Sequence, residues 1–294
     1  MNARTALMGV LFSVMWSSAF TSARMIVLDA PPFLALGARF LISGMLGVGI
    51  AALLGQRIRL SPAEWRALVV LGVCQNTIYL GLCFVAVQWV AAGVVVIIAS
   101  LLPLLVAVAS WVFLRERRTW LGLAGLAAGV IGVAVIMAGK IAGGIDLRGV
   151  VATLIGVTAL AAATLLVGGR FAGNPNTLML VGLQMLVGFV TVLPVSWLFE
   201  SWVVRPTVSL AVAFAWTTLV PGLLATLVWF VLVGRIGPTA AAAFHFLNPF
   251  FGVAIAALIL GEPFTSRDVV GVLIVMLGIL AVQLSRRRVA AGRS

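Results

Sequence analysis

The chain has 294 residues, of which 63% are hydrophobic and only 9% are charged, and its mean hydropathy is +1.25. So little polar surface excludes a water-soluble globule, and lipid is the solvent that this composition predicts. The net charge of +12 does not indicate nucleic-acid binding, because the basic residues are scattered at predicted helix ends and do not gather on one face.

Long apolar stretches, separated by charged residues, proline and glycine, predict ten transmembrane helices. A helix needs about 20 apolar residues to cross about 30 Å of hydrocarbon. We therefore expect an all-α integral membrane protein. The predicted spans are 5–27, 33–55, 66–87, 91–114, 120–138, 147–169, 177–199, 208–233, 238–260 and 268–285.

The distribution of basic residues predicts the orientation. If the N-terminus is cytoplasmic, thirteen of the 19 basic residues fall on the cytoplasmic side, as the positive-inside rule requires. We therefore expect a multi-pass protein of the cell (inner) membrane, with both termini in the cytoplasm.

The sequence also repeats itself at a distance of 146 positions, without a gap. Each copy contains five predicted spans, and because five is odd the second copy must enter the membrane from the opposite side. This predicts two inverted repeats of five helices, residues 1–140 and residues 141–294. The superposed pairs include Pro103 with Pro249, Glu116 with Glu262, Gly125 with Gly271, and Gly132 with Gly278.

Two prolines and a set of glycines have structural roles in this scheme. Pro103 and Pro249 lie inside the fourth and ninth spans, where each removes a backbone hydrogen bond. They are candidate hinges, and static kinks that only shape packing are an equal alternative. Small residues allow helices to approach closely, so we expect glycines of the fifth span to contact the tenth. These glycines are Gly125, Gly129 and Gly132, facing Gly271 and Gly278.

The motifs of the two copies point to a family. The first copy carries Ala91-Ala92, Pro103 and Leu114-Arg115-Glu116-Arg117, and the second carries Gly237-Pro238, Pro249 and Leu260-Gly261-Glu262-Pro263. They resemble the EamA repeat of the drug/metabolite transporter (DMT) superfamily, and within it the bacterial YddG-type exporters of aromatic amino acids. The resemblance implies ten helices around a central cavity and export of amino acids or other small metabolites.

Polar and aromatic side chains inside the spans are the candidate substrate-binding residues, because polar groups at that depth need partners. Three of them recur at four-residue spacing on the third span and share one face. An aromatic-lined cavity with a few amide and hydroxyl groups suits an amphipathic solute. Packing or interhelical hydrogen bonding is the alternative for each residue. The candidates are Trp16, Phe20, Gln75, Tyr79, Cys83, Trp229, His245 and Asn248.

Charged groups offer little for coupling to an ion gradient. The seven acids fall in connections or at helix ends, which argues for facilitated diffusion or for coupling by another group. His245 has no partner acid, so a neutral hydrogen-bonding role is favoured over proton transfer. Arg39, six residues into its span, could meet a substrate carboxylate, although pairing with a carbonyl or a lipid headgroup is the favoured interpretation.

No catalytic constellation can be assembled from one histidine and no intramembrane acid, so an enzyme is not expected, and neither is a metal or a cofactor. The expected partners are a small-molecule substrate and the lipid bilayer. The sequence predicts an exporter of small metabolites that works by alternating access between the repeats. The alternatives are a non-transporting scaffold or receptor subunit, and an exporter of drugs or other metabolites.

Overall fold

The computed structural model describes residues 3–57, 60–113, 119–141, 145–262 and 265–291, and within these ranges the regular elements are all helical. In the part of the chain that the structure describes, seven helical stretches are long and apolar enough to cross a membrane. Two shorter apolar helices accompany them, Trp120–Gly132 and Asn248–Leu260. Helices satisfy their own backbone hydrogen bonds in lipid, so the chain is a multi-pass membrane protein.

The helices of the N-terminal half lie on the predicted spans, but two of these spans are not single α-helices. The third predicted span consists of two α-helices joined by a π-helical segment, and the fourth is broken in the middle. The elements are α1 (Ala3–Val27), α2 (Pro32–Leu53), α3 (Pro62–Gly72), π1 (Val73–Leu80), α4 (Gly81–Trp89), α5 (Ala92–Ala99), α6 (Leu102–Phe113) and α7 (Trp120–Ile141).

The C-terminal half shows the same kinds of interruption. The eighth predicted span contains a π-helical segment, and the ninth is broken by a 3-10 segment at Ala243–Leu247. The remaining elements are α8 (Leu147–Leu166), π2 (Val167–Phe171), α9 (Thr177–Phe199), α10 (Val208–Thr217), π3 (Thr218–Leu224), α11 (Ala225–Ile236), α12 (Pro238–Ala242), α13 (Asn248–Leu260) and α14 (Ser266–Ala291).

The interruptions of the two halves correspond under the shift of 146 positions. π1 maps onto residues 219–226, which overlap π3, and the break after α5 maps onto the 3-10 segment. π-Helical turns are rare and occur mostly at functional sites. The corresponding spans of both halves are therefore irregular at equivalent depths.

Pro103 and Pro249 are placed differently from the expectation that they interrupt continuous helices. Each proline is the second residue of a new helix, α6 for Pro103 and α13 for Pro249. The first turn of a helix does not use its N–H groups, so proline loses no hydrogen bond there. The break lies just before each proline, and the proline starts the second segment.

The predicted glycine contact between the fifth and tenth spans is confirmed. A Cβ on Gly132 would lie 2.7 Å from the Gly271 carbonyl oxygen, and one on Gly278 would lie 2.5 Å from the Gly125 carbonyl oxygen. Both distances are too short for a real Cβ. The backbones of α7 and α14 therefore touch at these glycines, and a side chain at either position would push the helices apart.

Several acids stabilise the start of a helix that is close to them in sequence. At α3, Ser61 and Glu64 form a reciprocal capping box, in which Glu64 Oε2 accepts from the Ser61 amide at 2.8 Å. Asp146 accepts from the Arg148 amide at the start of α8, and the Arg148 side chain holds the pKa of the Asp146 carboxyl below its usual range. At α14, Asp268 accepts from the Thr265 amide at 2.8 Å.

Two other acids stabilise helices that are distant in sequence. Glu200 accepts from the amides of Phe33 and Leu34 at 2.8 and 2.9 Å, at the start of α2. Glu262 accepts from the amides of Ala92 and Gly93 at 2.8 and 3.0 Å, at the start of α5. Carboxylates at helix N-termini satisfy free N–H groups and oppose the helix dipole. These contacts tie the C-terminal half of the chain to the N-terminal half.

Candidate functional site

A narrow cavity lies between the middle of α1 and the segments α2, π1, α4 and π3. Space for the centre of a water molecule amounts to about 20 Å³, which is enough for roughly one water. In this conformation the cavity is therefore too small to hold an amino acid. The lining residues are Trp16, Ala19, Phe20, Ala23, Arg39, Tyr79, Leu80, Cys83, Phe84, Pro221 and Thr226.

Two aromatic side chains form one wall of the cavity. The rings of Trp16 on α1 and Tyr79 in π1 lie parallel, with an angle of 8° between their planes and 6.4 Å between their centroids. Both are buried, and the Tyr79 hydroxyl has no hydrogen-bond partner in the described part of the chain. The two rings add apolar surface to the lining, and the Tyr79 hydroxyl adds one polar group.

Trp16 also belongs to a cluster of four rings, which we call the aromatic cluster: Phe12, Trp16, Trp229 and His245. Phe12 stacks on Trp229 with centroids 5.2 Å apart, and His245 stands edge-on to Trp229 at 5.0 Å. Phe12 lies one turn of α1 before Trp16, so the cluster closes the end of the cavity that faces the N-terminus of α1. Phe12 was not among the predicted site residues, although it precedes Trp16 by four residues and Phe20 by eight, a helical spacing that indicates a shared face of α1.

Side chains of α1 bind the interrupted region around His245. Ser13 Oγ donates to the Phe244 carbonyl at 2.6 Å, and Ser17 Oγ lies 3.4 Å from the Asn248 carbonyl. The amide nitrogen of the Asn248 side chain lies 2.8 Å from His245 Nδ1. As predicted, His245 and Asn248 share a face, and α1 carries the hydroxyls that satisfy carbonyls around the 3-10 segment.

Arg39 lines the cavity from α2 and is only 3% exposed. Its Nε and Nη1 atoms have no hydrogen-bond partner among the described residues, so the favoured pairing with a carbonyl or headgroup is not observed at these atoms. A Cβ on Gly222 of π3 would lie 3.2 Å from Arg39 Nε, so the glycine leaves room for the guanidinium. Hydropathy alone did not predict this burial.

Other polar atoms near the cavity are also buried without partners. A buried polar group that makes no hydrogen bond within the protein is costly, and water or a ligand commonly completes it. Within the described ranges, those close to the cavity and the aromatic cluster are Tyr79 Oη, Trp229 Nε1, His245 Nε2 and Asn248 Oδ1.

The predicted face of the third span is only partly realised. Tyr79 and Cys83 line the cavity, whereas Gln75 does not, and its Oε1 is buried without a partner in the described chain. Gln75 and Tyr79 both lie in π1, whose wider turns change the angle between residues four apart. Asn76 Nδ2 donates to the Gln184 carbonyl at 2.7 Å, which is the interhelical hydrogen bonding given as the alternative for this region.

A second, wide-open cavity of about 510 Å³ lies at the C-terminal end of α1, which we call the vestibule. Its walls include Gln88 after the cavity-lining part of α4, and Glu200 after α9. At its rim, Asp29 Oδ1 lies 3.4 Å from Arg205 Nε, and Thr207 donates to Asp29 Oδ2 at 2.7 Å. Along α1, the narrow cavity therefore lies between the aromatic cluster on the N-terminal side and the vestibule at the C-terminal end.

Comparison with known proteins identifies the family. The EamA-like transporter family matches the chain twice, at residues 3–138 and 147–284. The protein belongs to the EamA-like transporter family. This EamA-like protein is therefore a membrane transporter of the DMT superfamily, which acts on a small molecule in a lipid environment.

Curated relatives cover nearly the same length. The chain is 28% identical over 280 residues to the "Uncharacterized transporter YvbV" of Bacillus subtilis, covering 95% of this chain and 91% of that one. It is 26% identical over 249 residues to "Protein PecM" of Dickeya dadantii, covering 83% of each. It is 25% identical over 287 residues to the "Uncharacterized inner membrane transporter YedA" of Escherichia coli K12, covering 95% and 91%.

A solved crystal structure of a protein has the same fold. It superposes with a TM-score of 0.75 at 21% sequence identity and covers 98% of this chain and 99% of its own. The arrangement of helices around the central cavity thus has a counterpart among known structures.

Proposed function

We propose that this transporter exports hydrophobic or aromatic amino acids and similar small metabolites by alternating access between two inverted repeats of five helices, residues 1–140 and 141–294. The observation that carries the proposal is the buried, aromatic-lined cavity, which lies along α1 between the aromatic cluster and the vestibule. A binding site of this kind suits a small amphipathic solute. Alternating access requires a site that opens to one side at a time.

The interruptions of the helices support a movement around this site. π1 and π3 lie beside the cavity, and the broken helices that precede Pro103 and Pro249 contain fewer regular backbone hydrogen bonds than a continuous helix. Such segments can change their angles at a lower energy than an intact α-helix. The starts of α6 and α13 are therefore the proposed hinges.

The proposed direction follows from the predicted orientation. With a cytoplasmic N-terminus, the vestibule at the C-terminal end of α1 faces outward, and the aromatic cluster is the inner closure. The 20 Å³ cavity must widen to hold an amino acid, and separating the rings of the aromatic cluster would open it toward the cytoplasm. In this scheme Trp16, Phe20, Tyr79 and Cys83 contact the solute directly.

The other predicted residues have adjacent roles in the scheme. Trp229, His245 and Asn248 form the inner closure together with Phe12, and they contact the solute when the closure opens. Gln75 lies in the same irregular segment as Tyr79, so a movement of π1 carries both side chains.

The test is flux of labelled amino acids through the purified protein in liposomes. We expect saturable flux of L-phenylalanine or L-tryptophan, strongly reduced in Trp16→Ala. Trp197→Ala is the matched control, because Trp197 is 72% exposed on α9 and is not among the residues that line the cavity. Absence of saturable flux for every labelled amino acid contradicts the proposed substrate class, and equal flux in both variants contradicts the proposed site.

A further inference from the structure

Arg39 is a buried cation without an observed anion. Its side chain is 3% exposed, its guanidinium carbon lies 5.6 Å from the centre of the Phe40 ring, and its Nε and Nη1 atoms have no hydrogen-bond partner in the described chain. A charged group in a low-dielectric interior is strongly destabilised unless a counter-charge or hydrogen bonds compensate it. The position therefore needs a partner that the described residues do not supply.

The described acids do not supply that partner, because none of them lines the cavity and each is engaged elsewhere. Glu116 lies outside the described residues. The contacts of the others are Asp29 with Arg205 and Thr207, Glu64 with Ser61, Asp146 with Arg148, Glu200 with Phe33 and Leu34, Glu262 with Ala92 and Gly93, and Asp268 with Thr265.

The cavity is also asymmetric in charge. The residue 146 positions after Arg39 is Met185, so the second half of the chain carries no equivalent cation. Among the described residues that line the cavity, no acid can receive an ammonium group. The described lining therefore has one fixed positive charge and no fixed negative charge.

The geometry around Arg39 defines what can complete it. A guanidinium presents N–H donors in a planar fork that matches the two oxygens of a carboxylate. The cavity lining includes the rings of Trp16 and Tyr79 and is mainly apolar, so it suits a ring or a branched aliphatic group. One molecule with a carboxylate and an apolar body would satisfy both features.

We propose that Arg39 binds the carboxylate of the transported solute, and that the cavity selects amphipathic monocarboxylates whether or not they carry an amino group. This inference rests on the proposed transport of a solute through this cavity and narrows its substrate class. Amino acids then bind through their carboxylate and side chain, and their deaminated analogues bind at least as well, because nothing charged in the described lining requires the ammonium group.

Three ligands that share one phenyl ring separate the contributions of the two charged groups. The probes are 3-phenylpropionate with only a carboxylate, L-phenylalanine with both groups, and 2-phenylethylamine with only an amine. Their Kd values are measured on the purified full-length protein by tryptophan fluorescence, together with the shift of its melting temperature. We expect 3-phenylpropionate and L-phenylalanine to bind and to stabilise the protein, and 2-phenylethylamine to do neither.

Variants of Arg39 test the contact itself. Arg39→Gln should raise the Kd for 3-phenylpropionate by about tenfold to a hundredfold, which is the range expected for the loss of a charge-assisted hydrogen bond. Arg39→Lys keeps the charge but loses the planar fork, so its Kd should lie between those of the wild type and Arg39→Gln. Arg66→Gln is the control, because it removes the same charge at an exposed position on α3. We expect this variant to bind 3-phenylpropionate as tightly as the wild type.

The outcomes separate this inference from the proposed transport. Folded Arg39→Gln that binds 3-phenylpropionate as tightly as the wild type overturns the inference, even if amino-acid flux is observed. If Arg39→Gln does not fold, the wild-type series decides, because equal affinity for 2-phenylethylamine and 3-phenylpropionate also overturns it. Arg39-dependent binding without flux of any of the three probes supports the carboxylate site and contradicts transport.

Discussion

The contact between Glu262 and the start of α5 gives a quantitative test of how the two halves of the chain are joined. The Glu262 carboxylate accepts from the Ala92 and Gly93 amides at 2.8 and 3.0 Å, and both residues are buried. These N–H groups belong to the first turn of α5 and have no partner within that helix. Glu262→Gln keeps one acceptor oxygen but removes the second acceptor and the negative charge.

The size of the effect follows from these two losses. One charge-assisted hydrogen bond that leaves a buried donor unsatisfied is worth about 1.5–3 kcal/mol, and the charge opposite the helix dipole adds about 0.3–1 kcal/mol. We expect Glu262→Gln to lower stability by about 2 kcal/mol, since the remaining oxygen can be shared. That corresponds to a fall of about 4–8 °C in melting temperature. Glu262→Ala should lower the melting temperature further.

The assay is thermal unfolding of the purified protein in detergent, followed by tryptophan fluorescence. Glu64→Gln is the matched control, because Glu64 also caps a helix but forms its hydrogen bonds with Ser61 at an exposed position. Water can replace Glu64 as the hydrogen-bond partner of Ser61, so Glu64→Gln should lower the stability less than Glu262→Gln does. A melting temperature unchanged in Glu262→Gln, or lowered equally in both variants, would refute the reasoning.

Two further predictions concern packing. Gly278→Ala places a Cβ 2.5 Å from the Gly125 carbonyl oxygen and should destabilise the protein by about 1–3 kcal/mol. The control is Gly49→Ala, whose Cβ meets nothing within 4 Å, so this variant should be neutral or slightly stabilising in thermal unfolding. Equal effects of the two substitutions would contradict the contact between α7 and α14. Trp229→Ala should lower the stability by about 3–5 kcal/mol because it empties the aromatic cluster, while Trp229→Phe should keep most of the stability and flux. A fully stable, fully active Trp229→Ala would show that the cluster is not a structural closure.

Features that depend on composition and spacing were predictable from the sequence. Helix positions followed from apolar stretches of sufficient length, and the contact of Gly132 and Gly278 with the partner helix followed from the repeated small residues. Trp16 and Tyr79 were predicted at the cavity because large amphipathic side chains at mid-span need an interior surface, and the structure brings them together there.

Features that depend on tertiary packing were not predictable. π3 contains Pro221, whose missing N–H is a sequence signal for an irregular helix, but π1 contains no proline and hydropathy does not indicate its π-helical turns. The same limitation applies to Pro103 and Pro249, since sequence cannot distinguish a proline that kinks a helix from one that begins its second part.

Among the site residues, Arg39 shows most clearly what cannot be predicted from the sequence. Its place six residues into a span is compatible with a side chain that reaches the interface and with one that points inward. The 3% exposure of Arg39 and the positions of Gly222 and Phe40 around it show that the guanidinium is enclosed. A buried cation near a span end is therefore a site signal that requires the packed structure.

The most direct test of the central claim, that solute passes through the cavity beside Trp16 and Tyr79, uses Cys83. Cys83 lines the cavity and is one of two free cysteines, so in a Cys74→Ser background it is the single thiol. The measurement is the rate of Cys83 alkylation by N-ethylmaleimide in liposomes, with and without saturating L-phenylalanine, together with the flux of labelled L-phenylalanine afterwards. Passage through the cavity predicts that L-phenylalanine slows alkylation and that alkylated protein no longer transports, whereas undiminished flux through fully alkylated protein would contradict it.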